Sequence, residues 1–186
     1  MSLIPDFELG LWNAWILIIP LIVFWICGVK FLFSKRMPDS APPSERKNKI
    51  LSLLLVIIMF GSYFYSIFMP LKLGTVWLPI GLVVYLLGLV LIAITMINFA
   101  TTPMNEPVTK GIYRYSRNPM FIGWFLLYFG IAIACISWLY AVIIVFFIFI
   151  IAYLSPYEEA MTLEHYGKSY KEYMKRTPKW IGIPKR

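Results

Sequence analysis

The chain has 186 residues, of which 60% are hydrophobic and only 14% charged, and its net charge is +8. A soluble domain of this length cannot hide so much apolar surface, so lipid is expected to cover it. Two cysteines, Cys27 and Cys135, both in apolar runs, exclude a disulfide framework, and the single His165 lacks companions for a metal site.

In chain order, five apolar segments are long enough to cross a hydrocarbon core of about 30 Å at about 1.5 Å per residue. They run about Leu11–Phe33, Ile50–Leu71, Val76–Ala100, Asn118–Ile136 and Trp138–Ser155. The expected fold is an all-α, polytopic membrane protein forming a single domain over 1–186, with a cytoplasmic tail over 156–186. The residues before the first span carry Asp6 and Glu8 and neither Lys nor Arg, the reverse of a signal peptide's basic start. Span one is therefore expected to stay as an uncleaved anchor. Pro20 and Gly61 are possible points of bending in spans one and two, which membrane helices tolerate. Spans four and five, separated by Ser137 and its neighbours, require a tight antiparallel hairpin.

The cations are unevenly distributed. The first loop holds Lys30, Lys35, Arg36, Arg46, Lys47 and Lys49, the third Lys110, Arg114 and Arg117, and the tail seven more, while Lys72 stands alone on the alternate side. The positive-inside rule then puts the N-terminus outside and the tail on the cytoplasmic face. The absence of an internal repeat and of mid-span charges argues against a transporter or ion path. The high positive charge is explained by topology and anionic headgroups, so no nucleic-acid partner is expected.

Polar chemistry gathers at one membrane face. The stretch "TKGIYRYSRNPMFIG", Thr109 to Gly123, sets three cations and two tyrosines against a long apolar run. After span five, Pro156 is able to open a new helix, placing Glu158 and Glu159 near its positive end. Tyr166, Tyr170 and Tyr173 recur at helical spacing as one aromatic stripe, Gly167 should break or kink this segment, and Thr177-Pro178 should end it. The simplest reading is a basic, aromatic collar with an amphipathic tail on the leaflet, tyrosines at headgroup depth and lysines toward anionic lipid. Paired glutamates at a membrane boundary fit that reading less well, because desolvated carboxylates require cations or donors, and Arg114 and Arg117 lie on the same side. Carboxylates, tyrosines and backbone groups near Pro119 together suit a nucleoside-bearing cation, although not one ligand uniquely.

At these residues the sequence resembles the isoprenylcysteine carboxyl methyltransferase family, which belongs with the membrane-embedded phospholipid methyltransferases. The similarity is carried by Gly111-Ile112-Tyr113, "RNPMFIG" from Arg117 to Gly123, Glu158-Glu159, "YGKSYKEY" and the Arg-Thr-Pro of 176–178, in order, across about Asn98 to Pro178. It implies S-adenosyl-L-methionine as cofactor, no metal, and a lipophilic or lipidated methyl acceptor entering from the bilayer. It also implies a tail that folds over the cofactor pocket, a core of about 98–178. The cofactor-binding positions it implies are Asn98, Asn105, Glu106, Pro107, Val108, Tyr113, Asn118, Pro119, Met120, Phe121 and Glu158, with Glu159 in support. Arg117 would organise the turn. The family's histidine and following tyrosine are here Asn118 and Phe121, and its arginine one turn before the glutamates is Leu154. Arg114 or Arg176 would then address the substrate, and Glu159 would be the base if the acceptor is an amine.

Two rivals remain at this stage. "RYSRNP" is also similar to a segment of steroid-reductase-like NADPH enzymes, but those continue with an acidic residue where Trp124 follows Gly123. A lipid-contacting protein without enzymatic activity is the other. His165 reads as a surface or capping residue, Cys27 and Cys135 as packing residues, and Lys110 and Tyr115 as collar residues.

Overall fold

The computed structural model describes residues 8–27 and 46–184, and the cation-rich first loop lies outside them except for the backbone of 46–49. Among the described residues the architecture is all-helical: α1 (Trp15–Cys27), α2 (Arg46–Ser66), α3 (Trp77–Ala100), a 3-10 turn (Gly111–Arg114), α4 (Pro119–Cys135), α5 (Trp138–Tyr166) and α6 (Lys168–Arg176). One isolated β-bridge, Asn13 to Pro70, is the only extended pairing in that set.

Each of the five predicted apolar segments falls on a helix over its described residues, the 28–33 end of the first lying outside them. By length and composition α3 and α5 are long and apolar enough to cross a membrane, while the apolar parts of α1, α2 and α4 are shorter. Helix α1 runs through Pro20, and α2 runs straight on through Gly61. The second segment leaves helix at Ser66 rather than Leu71, because the chain turns to meet the N-terminal segment. Ala14 donates its N–H to Met69 O at 2.9 Å, and Leu71 donates to Trp12 O at 3.0 Å. Asn13, 2% exposed, seals this corner by donating from Nδ2 to the carbonyls of Glu8 at 2.6 Å and Ile67 at 2.7 Å.

Helices α3 and α4 form the closest pair. Gly81 and Gly88 on α3 face Gly130 and Gly123 on α4, and no side chain separates the two backbones. A Cβ on Gly81 would stand 2.6 Å from Gly130 O, and one on Gly88 would stand 2.6 Å from the backbone N of Leu127. With lipid as solvent the hydrophobic effect does not drive helices together, so close backbone packing of this kind supplies the attraction. The pairing fixes the end of α3, with Asn98, beside the start of α4.

The hairpin between α4 and α5 is as tight as its sequence requires. Ile136 takes the left-handed conformation at φ 52°, and Ser137 caps α5 by accepting from Tyr140 N–H at 3.3 Å. The core between α2, α4 and α5 is aromatic. Tyr128 and Tyr140 are fully buried there, and the hydroxyl of Tyr128 donates to that of Tyr63 at 3.3 Å.

The structure corrects the reading of Pro156. Helix α5 continues without interruption from Trp138 to Tyr166, with Pro156 inside it, so no new helix begins there and Glu158 and Glu159 gain nothing from a helix N-terminus. Proline has no N–H for the carbonyl four residues back, that of Ala152. The Ser155 hydroxyl fills that role, donating to Ala152 O at 3.2 Å. A serine beside a proline re-satisfies the freed carbonyl, and the helix tolerates the interruption.

Candidate active site

The site grows from the end of α3. Asn98 lies in the last turn of that helix, and Gly111, at φ 58°, opens the 3-10 turn against it. A Cβ on Gly111 would come within 2.7 Å of Asn98 Oδ1, so both the backbone angle and the contact require glycine. The Asn98 Nδ2 is buried with no hydrogen-bond acceptor among the described residues. Lys110, expected as a collar residue, donates instead from Nζ to Thr101 O at 2.6 Å, closing the C-terminal end of α3.

The 3-10 turn presents Tyr113, only 9% exposed, to the tail. Tyr113, Tyr170 and Tyr173 form a small buried cluster, with Tyr166 and Leu163 packed at its edge. The tyrosine stripe therefore faces protein and not lipid headgroups, and it is shared between two helices. Gly167 ends α5 at φ 58°, α6 begins at Lys168, and Thr177 ends it, as the sequence pattern predicts. The Tyr173 hydroxyl donates to Tyr113 O at 2.7 Å, with Ser116 O 3.4 Å from the same oxygen. Burial first, and then the neighbouring Glu159, push the Tyr170 hydroxyl up to about 12 against the pull of Arg117. Burial, followed by the charges of Tyr170 and Tyr113, raises Tyr173 still more. Both remain neutral hydrogen-bonding groups at any physiological pH.

Beyond α6 the chain runs as a strap along the start of α4. Arg117 N–H donates to Pro178 O at 3.0 Å, and Gly182 N–H to Tyr115 O at 3.0 Å. Asn118 occupies the N-cap position of α4, but its side chain does not cap the helix; Nδ2 donates to Lys179 O at 3.1 Å. Ser116 Oγ accepts from Asn118 N–H at 3.0 Å and lies 3.4 Å from the same Lys179 carbonyl. Pro119, buried, takes the first helical position, where its missing N–H costs nothing.

The paired glutamates separate in role. Glu159 is buried, with Oε1 3.3 Å from Arg117 Nε and Oε2 3.6 Å from Lys179 Nζ. Glu158, one residue earlier and past the predicted end of span five, is exposed and has no ion pair among the described residues. Its carboxyl is nonetheless held above the ordinary carboxylate range, first by loss of solvation and then by the Glu159 charge, with Lys179 opposing both.

The remaining expected residues distribute as follows. Pro107 is buried, Val108, Met120 and Phe121 are half-buried, and Asn105 and Glu106 are exposed. Arg114 and Arg176 are exposed and, among the described residues, meet no acidic partner. The turn sets Asn98 against Gly111, and the strap links Asn118 to Lys179, which with Arg117 approaches Glu159. The cation that joins Arg117 at the glutamates is Lys179, which sequence reasoning missed. Its only signal was its place directly after Arg-Thr-Pro. Leu154, 7% exposed, is packed away and carries no charge toward the site. His165 is exposed, edge-on to Tyr166 at a ring separation of 4.5 Å, and Cys135 is a buried free thiol.

No curated protein matches the chain at a significant level. A family model described as phospholipid methyltransferase matches residues 71–169, from the turn before α3 to the first turn of α6, and includes Asn98, the 3-10 turn, Arg117 and both glutamates. Since that match spans more than half of the sequence and contains most of the site, the chain belongs to the phospholipid methyltransferase family.

Proposed function

We propose that this protein is an integral membrane methyltransferase that uses S-adenosyl-L-methionine and methylates a lipophilic acceptor arriving through the bilayer. The observation that carries this reading is the unequal treatment of two adjacent carboxylates at the membrane boundary. Glu159 is held by Arg117 and Lys179, while Glu158 stands beside it without an ion pair among the described residues. An exposed carboxylate left unpaired beside one that is already engaged is suited to a cationic or hydroxyl-bearing ligand. The residues also fit the nucleoside part of such a ligand, since Asn98 Nδ2 is a buried donor in want of an acceptor.

In this reading Glu158 and Asn98 bind the cofactor, and Tyr113, Asn118, Pro119, Met120 and Phe121 shape its pocket with the 105–108 segment. Bound S-adenosyl-L-methionine supplies an activated methyl group on a sulfonium. The protein's own work is alignment and exclusion of water. Glu159 holds Arg117 and Lys179 in place, and through Arg117 it fixes the turn on which Asn118 sits. Arg114 and Arg176, both exposed, offer cations to an anionic group of the acceptor. A carboxylate acceptor of the isoprenylcysteine type needs no base. A phospholipid amine does, and with Glu158 on the cofactor that role falls to Glu159, which would loosen its contact with Lys179 to take the proton. All five apolar helices span the bilayer in this reading, α1, α2 and α4 with flanking residues completing the crossing. The charge bias sets the N-terminus outside and the site on the cytoplasmic side.

Titration of the purified protein in detergent with S-adenosylhomocysteine tests the cofactor. Saturable binding that Glu158→Ala strongly weakens is the expected result, and binding of NADPH alone overturns the proposal. Lipid-resolved mass spectrometry after incubation with methyl-labelled cofactor and native membrane extract identifies the acceptor.

A further inference from the structure

The segment that follows Lys179 carries apolar side chains where neither the core nor the site uses them. Ile181 is 74% exposed and Ile183 90% exposed, the latter the most open large apolar residue in the described part of the chain. These residues are held in place by their surroundings. Gly182 between them donates to Tyr115 O at 3.0 Å, and a Cβ on Gly182 would come within 2.9 Å of Pro178 Cγ, so the turn is compact. Trp180, half-buried, lays its ring 6.3 Å from that of Phe125, in the second turn of α4. The strap thus descends from the site toward the apolar flank of a membrane helix and there exposes two isoleucines.

We propose that Trp180, Ile181 and Ile183 form an interfacial anchor, seated at the boundary between headgroups and acyl chains of the leaflet that borders the site. The occupant is lipid, for three reasons on the same few residues. The exposed isoleucines directly follow Trp180, whose ring lies beside Phe125 of α4. The tryptophan is of the type that settles at headgroup depth, with an apolar ring and a polar N–H. Lys185 and Arg186 follow the segment in sequence, cations of the sort that hold a short apolar stretch against anionic headgroups. The anchor joins the membrane directly to Lys179, whose carbonyl receives Asn118 and whose ammonium reaches Glu159.

The inference rests on the membrane setting and not on the cofactor, so failure of S-adenosylhomocysteine to bind leaves it standing. The test places a nitroxide on the Ile183→Cys variant, in a background lacking Cys27 and Cys135. The full chain is then reconstituted at one copy per disc in phosphatidylcholine–phosphatidylglycerol nanodiscs. The expected result is strong relaxation by oxygen with little from an aqueous nickel complex, at a shallow membrane depth. Ready access to nickel places the residue in water and overturns the proposal. Shielding from both reagents places it against protein and overturns it as well. If the cysteine-free background fails to fold, brominated phosphatidylcholine and the unmodified chain provide the second measurement. Quenching that falls on replacing Trp180 by Phe supports the anchor, and quenching unchanged by that replacement refutes it.

Discussion

Arg117 and Glu159 meet at 3.3 Å with only 11% of either side chain exposed, and Lys179 approaches the second oxygen of the same carboxylate at 3.6 Å. Three separate parts of the chain converge there: the end of the third loop, the extension of α5 and the strap. Removing one member of a desolvated pair leaves the other without compensation, which costs more than the pair contributes. Arg117→Ala is therefore expected to destabilise the protein by about 2–4 kcal/mol, and Lys179→Ala by less, since that ammonium is more exposed. Adding Glu159→Gln to Arg117→Ala should recover part of the loss. Thermal unfolding in detergent reads all three.

Tyr173 ties α6 to the turn through a single hydroxyl. Tyr173→Phe keeps the ring in its cluster and removes the donor to Tyr113 O, leaving a buried carbonyl less well served. The expected cost is about 1 kcal/mol of stability, accompanied by weaker S-adenosylhomocysteine binding, because Tyr113 lines the proposed pocket. Calorimetry on the variant checks the second effect independently of the first.

The glycine contacts between α3 and α4 leave no room for a methyl group. Gly88→Ala and Gly130→Ala should each destabilise by about 1–3 kcal/mol or more through forced separation of the helices. Gly61→Ala, on α2, where nothing lies within 4 Å of the added atom, should be neutral or slightly stabilising. A loss of monodispersity in the first two variants but not the third, measured by size-exclusion chromatography after heating, checks the contrast.

Glu158 provides a pH signature. Its folded-state carboxyl binds a proton more tightly than the ordinary value of 4.5, so folding is favoured while the group stays protonated and is penalised once it ionises. The penalty is absent below the ordinary value, grows as pH rises from there through the raised folded value, and persists above it. Glu158→Gln should thus raise the melting temperature of the ligand-free protein at neutral pH, with the gain vanishing under acidic conditions. The same variant should lose cofactor affinity. A stabilised protein that no longer binds ligand is the pattern expected of a group retained for function.

Much of the fold could be read from local pattern. Five apolar runs became five helices, Gly167 and Thr177-Pro178 bounded α6, and the Gly111 turn formed where glycine alone fits both its angle and its neighbour. Pro156 misled because its usual local meaning, a helix boundary, was outweighed by a serine one residue before it. The tyrosine stripe had the right spacing but no direction. Helical periodicity tells which residues share a face, and cannot say whether that face meets lipid or another part of the chain.

The sequence by itself determined the membrane class, the clustering of polar groups at one face and the candidacy of Arg117, Glu158 and Glu159, because hydropathy, charge and motif order are properties of neighbours along the chain. Only the tertiary structure decided that Glu159 is the paired carboxylate and Glu158 the unpaired one, that Lys179 is the second cation, and that Asn118 reaches the strap and not its own helix. It also decided which glycines bring α3 and α4 into contact. Those outcomes depend on contacts between residues far apart in the chain, whose energies arise from close approach and lost solvent and leave no local periodicity to read.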